Sequence, residues 1–134
     1  MARPLLDGVR VLDLTWVLAG PYGTLQLALL GAEVIKVESS RAPDATRRGA
    51  YPLSDDPESS PTFNSLNLNK LGLQLNLKEP AGVESALKLV EVSDIVVENF
   101  RTGVMERMGL DYATLRSRNP SIIVASMSAF GSEG

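Results

Sequence analysis

Any chemistry in this sequence must be built without the two side chains that most often supply it. Its 134 residues contain no histidine and no cysteine. Histidine general bases, Ser-His-Asp triads, histidine or thiolate metal sites, cysteine nucleophiles and disulfides are therefore excluded from this stretch. Carboxylates, cations, hydroxyls and a single tryptophan, Trp16, remain. The clustered acids Asp55, Asp56 and Glu58 sit in a polar stretch with no apolar neighbours to raise a pKa, so they read as solvated. Lys36, Lys70, Lys78, Arg101 and Arg107 stand near the ends of apolar runs. Cations beside backbone N–H groups suit a phosphorylated ligand, and ordinary surface charge is the competing reading.

Two further features invite a ligand. Gly20-Pro21-Tyr22-Gly23 follows an apolar run, and Glu38 closes the next one. This mimics a dinucleotide-binding turn with an acid for the ribose, but the leading glycine is absent and Pro21 intrudes. The alternative is that the glycines only permit a tight turn and Glu38 is a solvated strand end. Trp16 lies just past the first apolar run. It can stack on a base, or serve as core or interface.

These residues need elements to hold them. Val9–Leu14 and Val34–Val37 are β-branched runs that read as buried strands. Between them Pro21 suits a first helical turn, Leu25, Ala28 and Leu29 follow at helical spacing, and Gly31 suits the C′ position. The unit reads as a right-handed parallel βαβ. Residues 39–61 carry four prolines and little periodicity, and read as a long surface loop. Leu71, Leu73, Leu75 and Leu77 alternate as in a half-buried strand. Pro80 opens a helix with Val83, Ala86, Leu87 and Val90 inward, and Asp94–Glu98 is another strand. Short helices are expected over Gly103–Met108 and Tyr112–Arg118, the second N-capped by Asp111, before a last strand at Ile122–Ala125. Alternating strands and helices predict one α/β domain, a Rossmann-like, largely parallel sheet with flanking helices. Ligands of such sheets bind beyond the strands' carboxyl ends. Here those ends are Leu14–Trp16, Val37–Glu38, Asn99–Arg101 and Met127–Phe130.

A net charge of −3 with both signs dispersed argues against nucleic acid as a partner. No apolar run reaches the roughly 18 residues of a membrane span, and the N-terminus lacks a signal peptide's apolar core. A cytoplasmic location is the expectation.

The order of short motifs is more specific than any one of them. Leu5–Thr15, Ala19-Gly20-Pro21 and Leu30–Glu38 resemble the opening of class III CoA-transferases. Asn67–Lys70 with Leu75–Lys78, Ser93–Arg101 with Gly103–Leu110, Asn119-Pro120 and Ser126–Gly131 are similar to that family's later blocks. The resemblance implies an interlocked homodimer in which 1–134 is the N-terminal CoA-binding part of the large domain. It implies transfer of CoA from an acyl-CoA to a small carboxylic acid through an aspartyl-CoA intermediate. CoA and acyl-CoA would be substrates, with no permanently bound cofactor and no metal. The family's nucleophilic aspartate falls beyond Gly134, so this stretch alone is expected to be inactive, and its parallel sheet to keep an uncovered edge and apolar face. By motif position, Leu18, Ala19, Leu75, Asn76, Leu77, Lys78, Asn99, Phe100, Arg101 and Arg107 are the expected CoA contacts. Trp16 and Ser39 depart from the formyl-CoA transferase pattern, with Arg41 or Arg47 as substitutes for an arginine absent at Ser39. A 2-methylacyl-CoA racemase of the same fold is the nearest alternative, disfavoured by the long 39–61 segment and the Asn99-Phe100 pair. A non-catalytic CoA- or nucleotide-binding fragment is the other.

Overall fold

The structure, a computed structural model, describes residues 3–48, 56–129 and 131. Asp55 and Phe130 lie outside the described residues. Five strands form one parallel sheet: β1 (Arg10–Asp13), β2 (Glu33–Glu38), β3 (Leu71–Gln74), β4 (Ile95–Glu98) and β5 (Ile123–Ser126), in the spatial order β3-β2-β1-β4-β5. The order reverses between β1 and β4, the switch point where open α/β sheets form a crevice. The expected α/β class is what the chain adopts.

Helix α1 (Ala19–Leu29) links β1 to β2. Gly20, Thr24 and Ala28 recur every four residues and, with Pro21 and Leu25, make its buried stripe. Gly31 ends it at φ 102°, the left-handed C′ position that glycine fills without a Cβ penalty. Helices α3 (Pro80–Val90), α4 (Val104–Arg107) and α5 (Tyr112–Arg118) follow, and the Asp111 carboxylate caps α5 by accepting the Thr114 N–H at 3.0 Å.

Strand alternation sends neighbouring residues to opposite faces. Leu12, Val37, Val96 and Ile122 join Ala86, Leu87 and Val90 of α3 and Leu115 of α5 in the larger core. Val11, Val34 and Val97 join Ala28 and Ala32 in a smaller core under α1. That second face is covered less completely toward β5, where Ile123 is 60% exposed.

Two features differ from the sequence reading. The alternating leucines continue to Leu77, but β3 stops at Gln74, because its ladder partner β2 ends at Glu38, opposite Gln74. A further helix, α2 (Pro61–Leu66), lies where the sequence reads as loop. Ser60 caps it by accepting the Phe63 N–H at 3.3 Å, and Pro61 occupies its first turn. Within the 39–61 segment, Ala45–Arg48 and Pro57–Ser59 form single 3-10 turns, and Asp44, Thr46 and Ser60 are buried.

Candidate functional site

The strands' carboxyl ends carry two environments back to back. On the α1 side lies a sealed set of charges. Asp13 accepts from Thr24 Oγ1 at 2.6 Å, from Thr15 Oγ1 at 2.5 Å and from Lys70 Nζ at 3.0 Å. Beside it, in register with Asp13, Lys36 pairs with Asp44 at 3.2 Å. All four side chains are at most 2% exposed. Lys70 also donates to Asn67 Oδ1 and the Pro21 carbonyl. Burial pushes its ammonium below the ordinary lysine value, and Asp13 opposes that shift. Burial pushes the Asp44 carboxyl upward, but the Thr46 N–H, the Lys36 charge and the Thr46 hydroxyl outweigh it, so its pKa falls below the usual 3.8. Gly20 permits this packing, since a Cβ there would sit 2.3 Å from the Thr15 Cβ.

Lys36 and Lys70 were candidates for binding a phosphate. The structure corrects that reading: both are buried and paired with carboxylates. Glu38 is corrected likewise. It is neither solvated nor free for a ribose, because Arg47 binds it at 2.7 Å and the Asp44 N–H donates to it at 3.1 Å. Arg47 is itself consumed, bonding Glu58 at 3.0 Å and lying over the Phe63 ring at 3.6 Å from its centroid. Its pKa is raised, chiefly by the hydrogen bond to Glu38. Arg47 therefore does not substitute for the arginine absent at Ser39. Glu58 is exposed as expected, though bonded to Arg47.

The opposite side opens into an apolar cavity of about 400 Å³. Leu14, Val37, Leu75, Leu77, Val104 and Met108 supply its greasy wall, Trp16 and Phe100 its aromatic end, and Ser39 and Arg41 part of its rim. The two rings meet edge to face with centroids 6.1 Å apart. Beyond the wall formed by Leu77 and Lys78, a shallower cleft runs past Val83 to Arg107. Lys78, Arg107 and Arg41 are exposed around an apolar hollow, Arg41 in a solvent-exposed pair with Glu79 of the same rim at 3.8 Å. The N-terminus of α3 begins at the same rim with no side-chain cap, which adds a positive dipole end. An apolar cavity with a cationic lip suits a ligand that joins a flat, weakly polar group to phosphates.

The turn at Leu75–Lys78 has a local cause. Asn76 Oδ1 accepts the Lys78 N–H at 3.2 Å and the Asn76 carbonyl accepts the Glu79 N–H at 3.0 Å. A Cβ at residue 82 would stand 2.1 Å from that carbonyl, so only glycine lets α3 approach it.

Of the ten residues expected to contact CoA, the structure brings Leu75, Asn76, Leu77, Lys78 and Phe100 to one cavity, with Arg107 on the adjoining cleft. Asn99 stands at the switch point with its amide committed to the Trp16 peptide: Oδ1 accepts the Trp16 N–H, and Nδ2 donates to the Trp16 carbonyl, each at 2.8 Å. Arg101 lines a separate, smaller pocket of about 180 Å³ over β4 and β5. Leu18 and Ala19 are exposed at the start of α1, away from the cavity lining, where no side chain caps the helix. Trp16, a candidate for stacking on a base, and Arg41, a substitute for the arginine absent at Ser39, both line the cavity. The position of Trp16 past a buried strand was the available signal.

Among the described residues no group of three or more acidic side chains could hold a metal. Likewise no helix of the described residues is long and apolar enough to cross a membrane.

Comparison with known proteins gives a consistent result. The sequence model for CoA-transferase family III matches residues 6–134. A succinyl-CoA:mesaconate CoA-transferase of Haloarcula marismortui is 47% identical over 94% of this chain and 32% of its own length. The mouse succinyl-CoA:glutarate CoA-transferase is 43% identical over 96% of the chain, which spans 29% of the mouse protein. A formyl-CoA:oxalate CoA-transferase of Rhodopseudomonas palustris is 46% identical, covering 94% of the chain and 29% of the relative. The chain thus spans less than a third of each of these proteins. Among solved structures, a CAIB/BAIF family protein from Brucella suis superposes with a TM-score of 0.91 at 37% identity, covering 99% of this chain and 35% of that one.

Proposed function

Since the chain belongs to CoA-transferase family III, we propose that the whole protein moves CoA between an acyl-CoA and a small carboxylic acid, and that these residues hold the nucleotide end of CoA. One observation carries the second part: an apolar cavity ended by Trp16 and Phe100 and fringed by Arg41, Lys78 and Arg107. The adenine enters between the aromatic end and the Leu75–Leu77 wall, where a flat ring loses water on both faces. The phosphates lie outward, against the Lys78 ammonium and the Arg107 guanidinium, with Arg41 replacing the arginine absent at Ser39.

Chemically, this arrangement binds and orients. A nucleotide anchored far from the thioester supplies binding energy that positions the reacting end. The attacking carboxylate would be the family's aspartate; Asp13 and Asp44, near these strand ends, are sealed in ion pairs. The same reading includes a cytoplasmic, interlocked homodimer, without nucleic acid, membrane or resident cofactor. The incompletely covered sheet face at Ile95, Ile123 and Ala125 has room for the rest of the protein or a second subunit to pack. The three named relatives transfer CoA, which favours transfer over racemisation.

Calorimetric titration with CoA tests the reading. We expect binding at micromolar concentration, weakened when 3′-dephospho-CoA replaces CoA, and no heat with NAD. Equal affinity for NAD and CoA would overturn it.

A further inference from the structure

The Thr15–Val17 turn carries Trp16 into the cavity in a conformation its own sequence resists. Val17 has φ 71°, the left-handed region in which a β-branched side chain is a true outlier. Such strain persists only where the surroundings over-determine it. Here they do. Both Asp44 carboxylate oxygens accept the Val17 N–H, at 3.3 and 3.2 Å, and Lys36 Nζ donates to the Thr15 carbonyl. Lys36 and Asp44 also bond each other at 3.2 Å, with side chains 2% and 0% exposed. Asp44 is fixed in turn by the Thr46 N–H at 3.0 Å, the Thr46 hydroxyl at 2.8 Å and its own N–H to Glu38.

Neither side chain lines the cavity, but the Asp44 N–H bonds Glu38 on its wall, and both ends of the pair's reach are cavity walls. Through Thr15 and Val17 it brackets Trp16. Through the chain leading to Asp44 it holds Ser39, Arg41 and Ala42 on the facing rim. A buried pair costs desolvation and is weak evidence for added stability, so its geometry is better explained by what it fixes.

We propose that Lys36 and Asp44 are positioning residues for the CoA site: together they lock the strained Trp16 turn against the Ser39–Ala42 rim, so that the cavity is formed before ligand arrives. This rests on the reading that the cavity takes CoA. Preformation matters because ordering a loop during binding subtracts from affinity.

The test compares Asp44→Asn, Lys36→Met/Asp44→Asn and Asp44→Asn/Val17→Gly with the unaltered chain. Two quantities are read: the dissociation constant for CoA, and iodide quenching of Trp16 emission, taken as the difference from Trp16→Phe. In Asp44→Asn, CoA binding should weaken about tenfold and Trp16 become more accessible to iodide, with the far-ultraviolet circular dichroism unchanged. The double charge removal leaves no unpaired buried lysine, so it guards against a variant that merely unfolds, and it should show the same two losses. Glycine accepts positive φ without penalty, so adding Val17→Gly to Asp44→Asn should recover most of both. A purely structural role would lower the melting temperature but leave the affinity and quenching of the folded protein unchanged, and that result overturns the proposal. If the unaltered chain fails to bind CoA, the functional reading fails instead, and the quenching comparison still decides whether the pair holds Trp16.

Discussion

Lys36 and Val37 are neighbours on one strand, and they look into opposite kinds of site. Lys36 faces a compartment in which two cations and two carboxylates are buried and bonded to one another or to hydroxyls and carbonyls. Val37 faces an open hollow with apolar walls, whose cations stay exposed at the lip. The difference teaches how to read charge near a strand end. A cation with its hydrogen bonds already made fixes backbone, and a cation left over beside an apolar surface is available to a ligand. The sheet's pleat places the two compartments one residue apart, so the rigid side can brace the receptive one.

The contrast can be broken from the sealed side first. Lys70→Met should strand Asp13 without its partner and cost about 3–5 kcal/mol of unfolding free energy, the usual penalty for half of a buried pair. Urea titration reads this directly, and a loss below about 1 kcal/mol would mean the compartment is wetter than it looks. Next in size is Gly82→Ala. Its new Cβ meets backbone, the Asn76 carbonyl, so the turn must move at a cost of about 1–3 kcal/mol. Thermal unfolding should show the loss, and CoA affinity should fall with it because Leu75–Lys78 shift.

The receptive side predicts the reverse pattern. Lys78→Ala and Arg107→Ala should each change stability by no more than about 0.5 kcal/mol. Each should weaken CoA by about tenfold, or 1.4 kcal/mol, and the loss should shrink as salt screens the phosphates. Calorimetry at two ionic strengths separates these outcomes. The smallest effect is pH-limited. Asp44 has a folded pKa below its ordinary 3.8, so its charged form favours folding. That contribution is complete above the ordinary value and is lost as pH falls through the lower folded one. Unfolding midpoints followed downward from pH 5 should drop less steeply below pH 4 in Asp44→Asn than in the unaltered protein.

How much of this was legible in sequence follows from the range of the interactions. Buried parallel strands announce themselves as β-branched runs, so β1, β2, β4 and β5 were found to within one or two residues. Gly31 and Asp111 act within a few residues of the helix ends they serve, and both were readable. Helix α2 was readable too, from Ser60 and Pro61, but the proline-rich stretch before it masked the signal. The long-range partners were not readable. Lys70 meets Asp13 from 57 positions away, and nothing local to either residue tells a buried lysine from a solvated one. The same holds for Arg47, equal to Arg41 on the page of the sequence and distinguished only when Glu38, Glu58 and Phe63 close around it. Family-like motifs singled out Leu75–Lys78 and Phe100, which converge on one wall of the cavity, but they gave no warning that the Asn99 amide is committed to the Trp16 peptide.

The central claim is that the hollow on the Val37 side, and not the switch-point crevice between β1 and β4, receives the nucleotide. A crystal structure of the protein grown with CoA tests it most directly. The account predicts adenine between Phe100, Trp16 and the Leu75–Leu77 wall, with phosphate oxygens within hydrogen-bond reach of Lys78 or Arg107. Adenine seated over the Asn99–Trp16 junction, with the Val37 hollow empty, would contradict it.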